Sequence, residues 1–431
     1  MKHMAPIITA ALLLAAGHPE ADAAFRDVAR YPGSVYLSLG ETLPQHRDDL
    51  ENVLKWQVPS LSSKSYLGDQ IPRRVPGTNL LRCDLVGLGW EKTWEAVIRE
   101  HYVPVYRPDL VKAKVAPLVV NGAWFAATIM DSQLTGDAQY KLIYGTPPKN
   151  IKEFQALWQV NSKGELAFAR IEGKSGVAEQ LTRKIENQPT ANRGYFWITF
   201  DSRKVAGDAD PIENLEKREI KHDASEAIVG APKHVGGEYG AAQFYFLANG
   251  KGERQEKAPA DIVKDDTGTR GVEIRNTLSC VVCHEQGIKH PTLDQYRAYL
   301  ISGARIASYD KNVQREIDRY YDSPIAKEIE RNNQDYAKFV ELCNGLSPRD
   351  NALLFRDRVR AWDAPVSPQQ AALELYTTPE EWRLALGNYS RTQGLTGRLV
   401  LMAQGQSISR QQFEANYSLA QRILLEWHGH H

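Results

Sequence analysis

The hydrophobic pattern divides the chain into segments of different period. Within residues 47–56, Leu50, Val53 and Leu54 fall on one face at helical spacing and predict a short helix. Leu81, Cys83 and Leu85 alternate with Arg82 and Asp84, the period of a half-buried strand. Residues 91–101 place Trp94, Val97 and Ile98 on one helical face, and residues 150–160 do the same with Phe154, Leu157 and Trp158. Residues 119–134 are apolar enough for a buried helix. Residues 243–248 (QFYFLA) form an aromatic-rich strand, Asn249-Gly250 a tight turn, and residues 254–263 the returning strand of a small hairpin.

Beyond these the chain turns helical. Asp322-Ser323-Pro324, Ser347-Pro348, Ser367-Pro368 and Thr378-Pro379 each set a capping side chain before a proline that starts a helix. Ser409 with Gln412 predicts a capping box before the final helix. The pattern predicts an α+β N-terminal domain (24–215), a mainly α domain with a small hairpin (216–345) and a helical C-terminal region (346–431).

Length agrees: 431 residues at roughly 150 per domain give two or three domains. Lys+Arg 53 against Asp+Glu 53 leaves no electrostatic footprint for nucleic acid, so no nucleic-acid partner is expected. The start Met-Lys-His-Met, the apolar run 5–16 and Ala21-Asp22-Ala23 form the three parts of a secretory signal peptide (1–23), cleaved near Ala23. The run is too short to span a bilayer, which takes about twenty residues, so no stable membrane insertion is expected. The mature chain is expected in the periplasm.

Export bears on the four cysteines, because thiols in an oxidising compartment tend to pair or be consumed. Cys280-Val281-Val282-Cys283-His284 is C-x-x-C-H, the attachment motif of c-type haem. One helical turn brings two thiols to the two vinyl groups of one porphyrin edge, and the next residue places an imidazole under the iron. A zinc site would need a second ligand pair, and Cys83 and Cys343 are single and distant in sequence. A thioredoxin-like pair would need a long helix afterwards, which Gly287 and Pro291 cut short. One motif implies one covalent haem c. Cys83 and Cys343 are left as a disulfide or as two buried thiols.

With these residues the sequence resembles exported monohaem c-type cytochrome-domain proteins of the large, planctomycete-like kind. Their pattern is H-x-G-G-E, a strand, A-P-x-x-I-V and N-x-L-S-C-x-x-C-H-x-x-G. Here His222-Asp223-Ala224-Ser225-Glu226 opens it, with Ala224-Ser225 in place of the two glycines. Residues 243–248 supply the strand. Ala258-Pro259-Ala260-Asp261-Ile262-Val263 and Asn276-Thr277-Leu278-Ser279 follow, and Gly287 closes the pattern. His234-Val235-Gly236-Gly237-Glu238 matches the first motif literally. The likeness covers residues 193–297 and implies that the middle domain is a c-type cytochrome domain.

The sixth iron ligand separates functions, since electron carriers fill it with Met or His and enzymes leave it open. His222 is the expected second metal ligand beside His284; His234, Met402 and an open position are the alternatives. His290 follows His284 too closely to reach the opposite side. The expected function is a periplasmic electron carrier that binds haem through Cys280, Cys283 and His284 and serves a periplasmic redox partner. The alternative is a haem enzyme or ligand sensor with an open distal site, with Glu226 and Glu238 as acid/base candidates. The chain holds no G-x-S-x-G, P-loop, H-E-x-x-H or G-x-G-x-x-G.

Overall fold

A computed structural model describes residues 19–102, 118–160, 168–172, 182–188, 190, 194–203, 207–210, 214, 217, 219–258, 264–265, 268–290, 309–315, 325–395 and 397–430. In chain order the elements are α1 (Pro19–Arg30), β1 (Ser34–Ser38), α2 (Arg47–Ser60), β2 (Arg73–Arg74), β3 (Leu80–Asp84), α3 (Trp94–His101), β4 (Val119–Asn121) and α4 (Gly122–Thr128). Then come α5 (Ala138–Tyr144), α6 (Ile151–Leu157), β5 (Phe168–Glu172), β6 (Thr182–Gln188), β7 (Tyr195–Ser202), β8 (Ala224–Val235) and β9 (Glu238–Asn249). The remainder is helical: α7 (Leu278–Cys283), α8 (Ile325–Asn344), α9 (Pro348–Asp363), α10 (Pro368–Glu374), α11 (Pro379–Thr392), α12 (Leu399–Ala403), α13 (Arg410–Ala415) and α14 (Tyr417–His430). Among the described residues no helix is long and apolar enough to cross a membrane.

The chain divides into two units: residues 1–58, 69–129 and 354–431, and residues 59–68 with 130–353. These are not the expected boundaries, because the C-terminal helices join the N-terminal sheet. That sheet has the order β2-β3-β1-β4, with β1 antiparallel to β3 and parallel to β4. Every residue of β1 is buried, so neither face reads as polar. Tyr376 meets Ser38 (Oη···Oγ 3.2 Å), and Gln370 donates to the Glu41 carbonyl at 2.8 Å. Trp382, Leu386, Leu399, Met402 and Phe413 form one apolar cluster. Beside it Arg410 clasps the Glu374 carboxylate with two bonds of 2.6 and 2.9 Å.

The capping signals appear in the helices they predict. Ser367, Thr378 and Ser409 each accept a bond from the backbone N–H three residues on. Ser409 and Gln412 complete the reciprocal box, but they open α13; the chain then breaks at Asn416 before α14. Asp322-Ser323-Pro324 lies outside the described residues. Other expectations change. Residues 119–134 are a strand, a helix and most of a single-turn helix (Ser132–Thr135), because Asn121 accepts from Trp124 N–H and Asp131 from Gln133 N–H, each starting a new helix. Leu85 leaves the strand, since Asp84 accepts from Val86 and Gly87 and winds a single helical turn. Leu157 faces outward, 44% exposed.

The second unit carries the C-x-x-C-H motif on an antiparallel sheet in the order β5-β6-β7-β8-β9, not on a mainly α frame. The partner of β9 is β8, which precedes it, and not residues 254–263. Gly236 and Gly237 take φ of 59° and 87° and close a tight turn that right-twisted strands favour. After Gly250 the chain returns only as single bridges, with Gln255 N–H on the Leu247 carbonyl at 2.9 Å. Residues 259–263 lie outside the described residues. Period-two alternation gives the sheet two faces. Phe196, Phe244 and Phe246 pack against Phe154, Tyr144 and Trp158, in and beside α5 and α6. The opposite face, with Trp197, Thr199 and Glu226, looks toward α7, and α8 reaches it through Asn332, which accepts from Trp197 Nε1 at 3.0 Å.

Candidate haem site

The strand edge and the segment before the motif hold α7 in place. Asn276, fully buried, donates to Tyr140 Oη at 2.8 Å and to the Gln255 carbonyl at 3.2 Å. Tyr140 in turn donates to the Tyr245 carbonyl on the outer edge of β9 at 2.9 Å. Ser279 Oγ donates to Asp265 at 2.6 Å and accepts from Arg275 N–H at 3.0 Å. Arg270 and Arg275 converge on the fully buried Asp131 carboxylate at 2.8 and 2.7 Å. The Asn-x-Leu-Ser stretch is therefore an anchor that fixes where the thiols stand.

The exit from the motif is equally constrained. Gly287 has φ 96°, and a Cβ there would meet Asn333 Oδ1 at 2.3 Å, so the position requires glycine. Asn333 on α8 accepts from Ile288 N–H at 2.7 Å and donates back to the Ile288 carbonyl at 2.9 Å. This clamp presents the Gly287 carbonyl to His284 Nδ1 at 3.0 Å. A carbonyl can only accept, so Nδ1 carries a proton and Nε2 is the nitrogen turned toward Glu226. Such a second partner is what orients a metal-bound imidazole. Sequence reasoning missed Asn333. Its signal is the pair Asn332-Asn333 in the middle of a 20-residue helix, where asparagine is a poor helix former.

The open face of the sheet and the motif enclose a cavity of about 150 Å³. Cys280, Cys283 and His284 line it from one side; Ile185, Trp197, Thr199, Glu226 and Leu247 line it from four adjacent strands. Cys283 also borders a wider cleft of about 1020 Å³ on the other flank of the motif, beside Glu330 and Arg349. Arg183 and Asp201 stand at the cavity wall as a two-bonded pair, 2.6 and 3.0 Å. His284 Nε2 lies 3.6 Å from Glu226 Oε1, and the Tyr245 ring lies 5.8 Å from the imidazole. Burial alone would push the Glu226 carboxyl up. The hydrogen bond and charge of His284, the charge of Arg183 and a bond to Cys280 outweigh it and hold it at about 2. Burial, then the nearby Glu226 charge, push the Cys280 thiol well above its ordinary range.

Thus the structure brings Cys280, Cys283 and His284 together. It does not bring His222 to them. The His222 ring sits edge-on to Phe200, 5.1 Å away, on the aromatic face of the sheet, with Nδ1 2.8 Å from the Ile220 carbonyl. His234 lies near the β8–β9 turn between Tyr66 and Tyr239. Met402 is 2% exposed in the helical cluster of the first unit. Glu238 pairs with Lys338 at 2.8 Å and does not line the cavity. His290 stands exposed at the cavity rim. Cys83 and Cys343 are free and buried, and burial pushes both thiols up.

The donor types are those of a c-type haem, two thiols and an imidazole, but the 3.6 Å contact of His284 Nε2 with Glu226 Oε1 leaves no space for an iron, so Glu226 would have to turn aside for haem to bind. Among the described residues no three His, Cys, Asp or Glu side chains gather as a metal site, so a metal here would need most of its ligands from elsewhere. A porphyrin brings four nitrogens of its own and asks the protein for one oriented imidazole and two thiols. No family model matches the sequence, and neither the curated proteins nor the solved structures yield a match.

Proposed function

We propose that the chain is an exported c-type cytochrome that holds one haem through Cys280 and Cys283, with His284 as proximal iron ligand. In this reading it passes electrons to or from a periplasmic redox partner. The observation that supports it most is the bond between His284 Nδ1 and the Gly287 carbonyl, which leaves Nε2 directed into the cavity that both thiols line. Bound there, the haem supplies a one-electron iron couple. The chain's own residues orient the imidazole through Gly287 and Asn333. They exclude water with Ile185, Trp197, Ile228 and Leu247 and hold the Glu226 carboxylate beside the imidazole, 3.6 Å from Nε2.

Export belongs to the same proposal, since thioether attachment is made outside the cytoplasm. The apolar run 5–16 lies outside the described residues. The expected cleavage falls within α1, and Ala24, the first residue after it, is fully buried against Tyr36 and Leu80.

The test is expression with haem-attachment machinery, followed by intact mass and a haem stain on a denaturing gel. The expected result is one covalently retained haem on a chain beginning at Ala24, and none in the Cys280→Ala, Cys283→Ala double variant. A wild-type chain without covalent haem overturns the proposal. One observation favours a second reading, a haem enzyme or ligand sensor: no methionine, and no histidine other than His284 and the rim residue His290, is among the residues that line the cavity.

A further inference from the structure

One carboxylate ties together two of the three groups that haem attachment needs. Glu226 stands in the interior of the sheet, opposite Thr199 on β7 and Leu247 on β9. Its Oε1 lies 3.6 Å from His284 Nε2, and the Cys280 thiol donates to the same carboxylate. Cys280 is 2% exposed, whereas Cys283 is only half-buried and opens onto the wider cleft. The cavity beside the motif measures about 150 Å³, below the roughly 300–1,000 Å³ of a cofactor pocket.

The same sheet face offers the carboxylate a second place. Ile185, Thr199 and Glu226 share one cross-strand row, and Arg183, Asp201 and Ala224 share the next row on that face. Arg183 lines the cavity, clasped to Asp201, and its charge already acts on Glu226. Two strand spacings of about 4.8 Å and one two-residue step of about 6.7 Å separate the two backbones, a gap that an arginine and a glutamate together span.

We infer that Glu226 is a two-position latch on the motif, an inference that rests on the haem reading above. Bonded to Cys280 and beside His284, it keeps the first thiol and the imidazole turned to the protein and closes the space that a porphyrin edge would enter. Turned to Arg183, it releases both groups and the motif opens. Glu226 is thus a positioning residue: it sets when Cys280 and His284 are presented together and leaves Cys283 accessible in both positions. The carboxylate has a polar partner in each, so the turn exchanges partners and strands no buried charge.

The test uses the full chain, expressed without attachment machinery and kept reduced, beside Glu226→Ala, Glu226→Asp and Arg183→Gln. Circular dichroism and urea unfolding check that each is folded. Iodoacetamide labelling, mapped by peptide mass, reports the two thiols separately, and stopped-flow mixing with haemin reports entry to the site. In wild type Cys283 should label and Cys280 should lag behind it. In Glu226→Ala, Cys280 labelling and haemin uptake should both rise about tenfold or more, the factor that loss of one charged hydrogen bond gives. Glu226→Asp separates a tie from a charge, since it keeps the negative charge near the thiol but is one carbon too short to hold both groups. A latch makes it behave like Glu226→Ala; behaviour like wild type overturns the inference. Equal Cys280 labelling in wild type and Glu226→Ala overturns it too. Arg183→Gln removes the second position and should slow haemin uptake below wild type; an unchanged or faster rate overturns the two-position latch. If Glu226→Ala does not fold, Glu226→Asp decides alone. With attachment machinery, covalent haem on neither wild type nor Glu226→Ala fails the haem reading itself, whereas covalent haem with unaltered Cys280 labelling fails only this inference.

Discussion

The two faces of the five-stranded sheet share one backbone and differ in what covers them. On one face the rings of Phe154 and Phe246 stack at 4.6 Å, and Phe196, Phe244, Tyr144 and Trp158 close around them. Where that face carries charge, at Lys184 and Glu186, the two are fully buried and paired at 3.0 Å. On the other face Arg183, Asp201 and Glu226 look into a cavity, with the thiols and imidazole of the motif across it. Alternation along each strand supplies both surfaces; α5 and α6 seal the first, whereas α8 covers only part of the second and leaves the rest to the cavity. Chemistry collects where polar groups are left facing space.

The substitution that tests this contrast hardest is Phe246→Ala. It empties the centre of the sealed face, and a cost of about 3–5 kcal/mol is expected in urea unfolding. Ile185→Val on the cavity wall should cost only about 0.5–1.5 kcal/mol. Equal losses would erase the distinction between a packed face and an open one.

Gly287→Ala should come next. It forces an unfavourable φ and drives a methyl into Asn333, so a loss of about 1–3 kcal/mol in thermal unfolding is expected. On the proposed haem reading fewer chains should also retain haem, since the carbonyl that holds His284 moves. Adding Asn333→Ala removes the clash but not the strain, and recovery of stability in the double variant separates the two. No loss in Gly287→Ala would show that the clamp does not hold the loop.

The smallest effect concerns pH and lies near the β8–β9 turn. Burial pushes the Lys233 ammonium down from 10.5 to about 7, where its Nζ donates to the Ser62 and Lys64 carbonyls. Between about 7 and 10.5 the folded chain then binds fewer protons than the unfolded one. Stability therefore rises with pH through that window, by at most about 1.4 kcal/mol per pH unit, and the buried charge costs most below 7. Urea unfolding at pH 7 and pH 9 should show this rise in wild type and a flatter response in Lys233→Met. An identical slope in both would mean that the lysine keeps its proton on folding.

Legibility in the sequence followed the range of the interaction. The helix at residues 47–56, with Leu50, Val53 and Leu54 buried, and the caps at Ser367, Thr378 and Ser409 were readable, because each depends on neighbours within a turn or two. The five-stranded sheet was not. In β7 (YFWITFDS) seven of eight residues are buried, so no polar alternation marks it, and β8 carries Gly230 and Pro232, which read as breaks. The union of the C-terminal helices with the N-terminal sheet rests on contacts such as Ser38 with Tyr376, which no local pattern encodes.

The sequence by itself determined the spacing of two thiols and an imidazole, because attachment to one porphyrin edge needs only a single helical turn. It also placed Gly287, whose positive φ is a local demand of the loop. Only the tertiary structure decided what faces His284. Strand register carries Glu226 to that point and leaves His222 behind the sheet. Register is set by the pairing of four strands and the packing of both faces together, and a one-residue slip would turn Glu226 away from the cavity.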